Sequence, residues 1–185
     1  MRPIPAGLGL IVCLFLFNPL STIAQEKDDV IPVAPGSFSL HGHIYHKHFK
    51  DSIPPPTSYV TDWENLYTDA QEAHIDSMLA AFEKKTGIQI AVVTIDSTMA
   101  SAEDFDSLTM KIANSWGVGQ EVIGISSGLR LMRIQNGSGI SAKLSDEATQ
   151  QIVNTDFLPY FEKGAYYKGT LTGLRALMQK LQPPQ

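Results

Sequence analysis

What this 185-residue chain lacks narrows it at once. It has one cysteine, Cys13, inside an apolar stretch near the N-terminus. A disulfide scaffold is therefore excluded, as is a cysteine-built zinc site. No apolar run reaches the length of a confident membrane helix, and none lies near the C-terminus. Charged residues are scarce at 18%, and 14 Lys and Arg face 19 Asp and Glu. With no basic run, a broad nucleic-acid surface is excluded. The phosphate-cradling G-x-x-x-x-G-K-[ST] loop is missing. Histidine is rare where a domain would use it. His41, His43, His46 and His48 crowd one segment, which leaves His74 as the one histidine in the rest of the chain.

What is present begins with a leader. Residues 1–24 read as a secretory signal peptide: Arg2 supplies the charge, Ala6 to Phe17 the apolar stretch, and Thr22-Ile23-Ala24 the small residues of a cleavage site. The residues before Cys13 are not the small ones that lipidation requires. Cleavage before Gln25 removes the cysteine and one basic residue, leaving 13 basic against 19 acidic residues, a net charge of −6. A cysteine-free exported chain suits a periplasm or the cell exterior, because it needs no oxidative folding. Residues 25–58 follow as an extended arm ending in Pro54-Pro55-Pro56, which favours polyproline geometry. The arm's imidazoles could bind zinc, copper or nickel, but a proline-bounded arm lacks the fixed partners of a specific site.

Residues 59–182 carry the patterning of one α/β domain. Thr68 and Gln71 form a capping box, Ile75, Met78, Leu79 and Phe82 share a helical face, and Thr86-Gly87 closes that helix. Ile88 to Ile95 is an almost continuous apolar, β-branched run, as in a strand covered on both faces. Ser101 with Asp104 suggests a second capping box, before a stripe of Phe105, Leu108 and Ile112. Val122 to Ile125 and Leu129 to Gln135 read as a hairpin. Ser145 caps a third helix with Ile152, Val153 and Phe157, and Tyr167 to Leu181 forms a fourth. Strands alternating with helices predict a sheet with helices on both faces.

Few residues stand out as chemistry. Gly124-Ile125-Ser126-Ser127-Gly128 matches G-x-S-x-G, but a strand-like segment follows where the serine elbow needs a helix. Asn136-Gly137-Ser138-Gly139 could offer backbone N–H groups to an anion, with Arg133 nearby; an ordinary turn explains it as well. Asp62 at a strand end and Asp146 at a helix start could supply hard oxygen ligands for calcium or magnesium. Helix caps and solvated faces explain the same carboxylates.

The ordered motifs resemble one family. Tyr59-Val60-Thr61-Asp62, Leu66-Tyr67-Thr68 and the run Phe82 to Thr94 resemble the opening of the TPM domain. Trp116-Gly117-Val118-Gly119, then Arg133 to Gly139, then Leu144-Ser145-Asp146-Glu147, then Pro159-Tyr160-Phe161 and Gly164 to Gly169 follow in the family's order. The resemblance implies an α/β/α sandwich with a central mixed sheet in an exported or membrane-facing protein. A plant relative is described as a thylakoid acid phosphatase, and other members bind calcium or similar ions near the sheet's end. It implies a metal set of Asp62, Asp146 and Glu121 for Ca2+ or Mg2+, and a substrate set of Arg133, Gly137 and Gly139; a catalytic residue is not assigned. Two departures weaken the expected metal site. The polar loop before the next strand is shortened to Gln120-Glu121, and Ile140-Ser141 stands where an acidic residue is common. Two functions follow as expectations: a divalent-cation-associated binding or accessory module serving envelope or membrane proteins, or a metal-assisted phosphomonoester hydrolase.

Overall fold

The structure is a computed structural model that describes residues 12–14, 53–117, 121–137, 139–140 and 143–182. Most of the segment expected to be a leader, and the histidine-rich segment, lie outside the described residues. Four strands make the central sheet: β2 (Val60–Asp62), β3 (Ile90–Thr94), β4 (Glu121–Ser126) and β5 (Leu131–Asn136). A three-residue strand near the N-terminus, β1 (Val12–Leu14), pairs antiparallel with the outer edge of β5. The sheet order is β1-β5-β4-β3-β2, with β2, β3 and β4 parallel and β5 antiparallel to β4. The mixed α/β architecture expected from the sequence is present.

Helix α1 (Asp69–Thr86) starts at the Thr68–Gln71 capping box and stops at Gly87, whose φ of 71° is left-handed. Satisfying the free N–H groups at one end and turning the chain at the other explains why it begins and ends there. Its buried Ile75, Leu79 and Phe82 meet the sheet, and all five residues of β3 are buried, as an apolar strand covered on both faces requires. Among the described residues, helix α2 (Phe105–Trp116) is the one helix on its face of the sheet, over Val93, Val122 and Leu131. Gly124 permits this approach: a Cβ there would lie 2.8 Å from Thr109 Oγ1.

The opposite face carries α1, α3 (Asp146–Ile152), α4 (Leu158–Phe161) and α5 (Tyr166–Leu181). A π-helical turn, Val153–Phe157, joins α3 to α4, so the predicted third helix is one continuous path with a widened middle. Phe157 packs directly on Gly173 of α5, where a Cβ would fall 2.0 Å from its ring. The Ser101–Asp104 pair is not the start of α2 that the sequence suggests. It closes the preceding turn (Asp104 N–H to Ser101 Oγ, 3.2 Å), and the helix begins one residue later without a side-chain cap. The end of the arm is tied to the domain: Ile53 packs under α2 and Trp116 Nε1 donates to Pro54 O at 2.7 Å. Among the described residues no helix is long and apolar enough to cross a membrane.

Candidate functional site

At the carboxyl ends of β2 and β3 the polar groups interlock. Asp62 is the last residue of β2, stands in register with Thr94, and is buried. One of its carboxylate oxygens accepts from the Thr94 hydroxyl, and the other accepts from the Tyr67 N–H at 2.8 Å. Thr94 Oγ1 in turn accepts from the Glu64 N–H at 2.9 Å, and the Tyr67 hydroxyl shares a 2.8 Å hydrogen bond with Thr170 of α5. One carboxylate thus fixes the turn between β2 and α1, and Tyr67 links that turn to the last helix.

Glu64 extends the network to the β4–β5 hairpin. Its carboxylate accepts from Ser127 N–H (2.9 Å), Ser127 Oγ (2.8 Å) and Gly128 N–H (2.9 Å). Burial raises its pKa, and these hydrogen bonds pull against that rise. Among the described residues Asn65 (φ 53°) and Arg130 (φ 55°) are the non-glycine residues with left-handed backbones, and both sit at this end. Such backbones cost energy and collect at functional sites. Beside them Glu72 of α1 is half-buried, and its pKa is pushed up to about 7, first by burial and then by Asp62, Asp69 and Asp76. Carboxyl ends of parallel strands are where open α/β sheets commonly bind ligands.

The other end of the same face is built differently. Glu121 opens β4, in register with Ile90 and Asn136, four residues along the strands from the level of Asp62. That is about 13 Å at 3.3 Å per residue. Glu121 is fully buried, and neither carboxylate oxygen has a partner. Burial alone pushes its pKa up to about 8. Opposite it, Asn136 donates to Thr149 Oγ1 of α3 at 2.9 Å, while its Oδ1 is buried without a donor.

The fold divides the residues that the resemblance grouped. Asp62 stands at one end; Glu121 stands at the other, beneath α3, whose first residue is the exposed Asp146. The expected set of Asp62, Asp146 and Glu121 therefore does not converge, because the register of β4 sets Glu121 beside Ile90 rather than Thr94. Arg133 does not reach Asp62 either. It is buried on the α2 face, with Nη1 2.8 Å from Asp106 Oδ2. Two strands lie between it and β2, three strand spacings or about 14 Å. Gly137 and Gly139 follow β5 at the Glu121 end, and Gly139 is exposed. His74 lies on α1, its Nδ1 2.6 Å from the Tyr167 hydroxyl.

Among the described residues no three His, Cys, Asp or Glu side chains are grouped to hold a metal. Both Asp62 oxygens already accept hydrogen bonds, so the donor set does not form a protein cage for calcium, which takes six to eight oxygens. Sequence reasoning passed over Thr94, Glu72 and Thr170. Thr94 had a signal, as a polar residue ending an apolar strand; Glu72 and Thr170 gain their roles only from packing.

The model of one family, the TPM domain, matches residues 60–180. Two solved structures have similar folds. The N-terminal domain of a P. gingivalis protein, solved by solution NMR, is 30% identical, with a TM-score of 0.62 over 68% of this chain and 82% of that one. The N-terminal domain of a Corynebacterium glutamicum protein, also solved by solution NMR, is 15% identical, with a TM-score of 0.54 over 71% of this chain and 85% of that one. No curated protein matches.

Proposed function

The chain belongs to the TPM domain family, and from that premise we propose that it is an exported binding or accessory module acting on envelope or membrane proteins. One observation carries this reading: Asp62 and Arg133 are each committed elsewhere. Metal-assisted phosphoryl transfer needs a cation ligand and a phosphate-holding cation at one reacting centre. Here Asp62 secures the β2–α1 turn, and Arg133 is paired to Asp106 on the opposite face. Calcium or magnesium enters as a weakly held, hydrated ion at the Glu72 carboxylate and its acidic neighbours. Export rests on the leader's composition, and recovery of the protein with Gln25 at its N-terminus is its test.

A second reading, a metal-assisted phosphomonoester hydrolase, draws support from Glu72, whose pKa of about 7 suits a general acid or base near neutrality. Turnover of p-nitrophenyl phosphate with calcium, magnesium or manganese separates the two. The module reading expects background turnover in the wild type and in Glu72→Gln, with calorimetric cation binding on the order of millimolar. Saturable turnover that Glu72→Gln abolishes would replace it with the hydrolase.

A further inference from the structure

The two outer strands of the sheet are finished in opposite ways. On β2 the Val60 N–H and C=O point away from β3, because it is Tyr59 O that accepts from Val92 N–H. Both outward groups are already occupied. Val60 N–H donates to Asp76 Oδ1 at 2.8 Å, and Val60 O accepts from Ser58 Oγ at 2.7 Å and Thr57 Oγ1 at 3.2 Å. A strand edge capped by side chains cannot add another strand, and this is a common protection against unwanted pairing. Among the described residues, no side-chain cap of this kind is seen on the β5 edge. Its sequence, Leu131–Asn136, carries no lysine or proline, and its register with β4 runs unbroken over six residue pairs. A strand already sits on it: Val12, Cys13 and Leu14 pair antiparallel with Arg133, Met132 and Leu131.

Arg133 adds chemistry to that edge. Its Nη1 is held by Asp106, but Nε and Nη2 are buried without an acceptor. Those two nitrogens form the side of the guanidinium that engages a carboxylate with two parallel hydrogen bonds. Buried donors left without an acceptor cost free energy, so a ligand that supplies one is favoured.

We propose that the outer edge of β5 is a strand-capture site, which takes an extended apolar segment of another polypeptide as an added antiparallel strand, with an acidic side chain across from Arg133. Val12–Leu14, a segment apolar in sequence, shows that the edge accepts an antiparallel strand, and in the uncleaved chain it holds the place. Main-chain hydrogen bonds supply the affinity of such added strands, and side chains supply the specificity. This inference rests on the binding-module reading and gives it a partner class: unfolded or extended segments of exported proteins.

Removing the leader should leave the domain folded. Both apolar clusters lie within Ile53–Leu181, and the two similar structures are of domains solved in solution. The test uses residues 25–185 and a soluble ten-residue peptide with lysines at both ends and a Glu-Ser-Leu centre. Binding is read by fluorescence anisotropy and by hydrogen exchange. Expected are a micromolar Kd, slowed exchange across 131–136, and losses of about tenfold or more when the peptide is N-methylated at alternate residues, when lysine replaces its glutamate, or when the leader is retained. Absence of saturable binding, indifference to N-methylation, or protection confined to the β2 edge would overturn strand capture. Indifference to the glutamate would overturn the role of Arg133. Strand capture can fail while p-nitrophenyl phosphate turnover stays at background, which keeps the module reading. Glu72-dependent turnover removes that reading whatever the peptide does.

Discussion

Asp62 and Glu121 are two carboxylates sealed into the same face of one sheet, and they are held in opposite ways. Asp62 has a donor for each oxygen. Glu121 has none, and its pKa rises to about 8 from burial alone. The cause is the path of the chain around each residue. After Asp62 the chain turns sharply and brings the Tyr67 N–H back onto the carboxylate, with Thr94 beside it in register. Glu121 starts its strand, and its cross-strand neighbour Asn136 turns its donor toward Thr149 rather than to the carboxylate. A buried carboxylate with donors is a structural clamp. One without donors is held as the neutral acid near neutrality, and it penalises the fold once it ionises.

The comparison breaks first under substitution. Asp62→Ala strands the buried Tyr67 N–H and Thr94 hydroxyl, and should lower unfolding free energy by about 4 kcal/mol, the scale of two lost hydrogen bonds to a charged group. Urea unfolding at neutral pH measures this; a loss below about 1 kcal/mol would remove Asp62 from its role as clamp. Glu121→Gln should act in the opposite direction. The folded pKa of about 8 lies above the ordinary carboxylate value of 4.5, so the fold binds the proton more tightly than the unfolded chain does. The penalty is absent below pH 4.5, grows as pH rises toward 8, and is constant beyond. Glu121→Gln should therefore match wild type near pH 4 and exceed it by roughly 4 kcal/mol near pH 8. Stability measured against pH for both proteins tests it, and parallel curves would mean that Glu121 ionises freely.

Local signals made most of the fold legible, because its elements begin and end on short-range chemistry. The Thr68–Gln71 box, the Gly87 stop, the Ser145 cap and the apolar run of β3 act within a few residues, and each is where the sequence suggested. The Ser101–Asp104 pair shows the limit. The same side-chain bonds that cap a helix also close a turn, and only the backbone beyond distinguishes them. The candidate site was less legible. Asp62 was visible at a strand end, but grouping it with Glu121 needed the strand register, which sequence does not carry. Arg133 looked like a phosphate ligand because its neighbours are glycines along the chain. Its partner in space is Asp106, 27 positions earlier.

Glu64 sharpens the comparison at the clamped end. Its carboxylate holds three donors of the hairpin turn, next to the left-handed Arg130. Those donors can turn to water once the carboxylate is gone, so Glu64→Ala should cost less than Asp62→Ala, about 1–2 kcal/mol. Hydrogen exchange should quicken at Ser127 and Gly128 while β3 stays protected. Faster exchange throughout β3 would show that Glu64 supports the sheet rather than the turn.

Glu72 gives the smallest effect and the most direct view of cation binding. Its pKa of about 7 also exceeds the ordinary value of 4.5, from burial and from Asp62, Asp69 and Asp76. The penalty therefore grows as pH rises from about 4.5 to 7. Water reaches half of this side chain and screens it, so Glu72→Gln should stabilise the neutral-pH protein by under about 1 kcal/mol. A bound divalent ion favours the carboxylate and must lower this pKa; the Glu121 pKa, set by burial about 13 Å away along the strands, must stay where it is. Carbon-detected NMR titration of both carboxyl groups, with and without millimolar magnesium, follows the two ends in one sample. A shift at Glu72 alone places the ion at the carboxyl ends of β2 and β3. A shift at Glu121 would place it at the end where the carboxylate has no donors, and the clamp around Asp62 would then be purely structural.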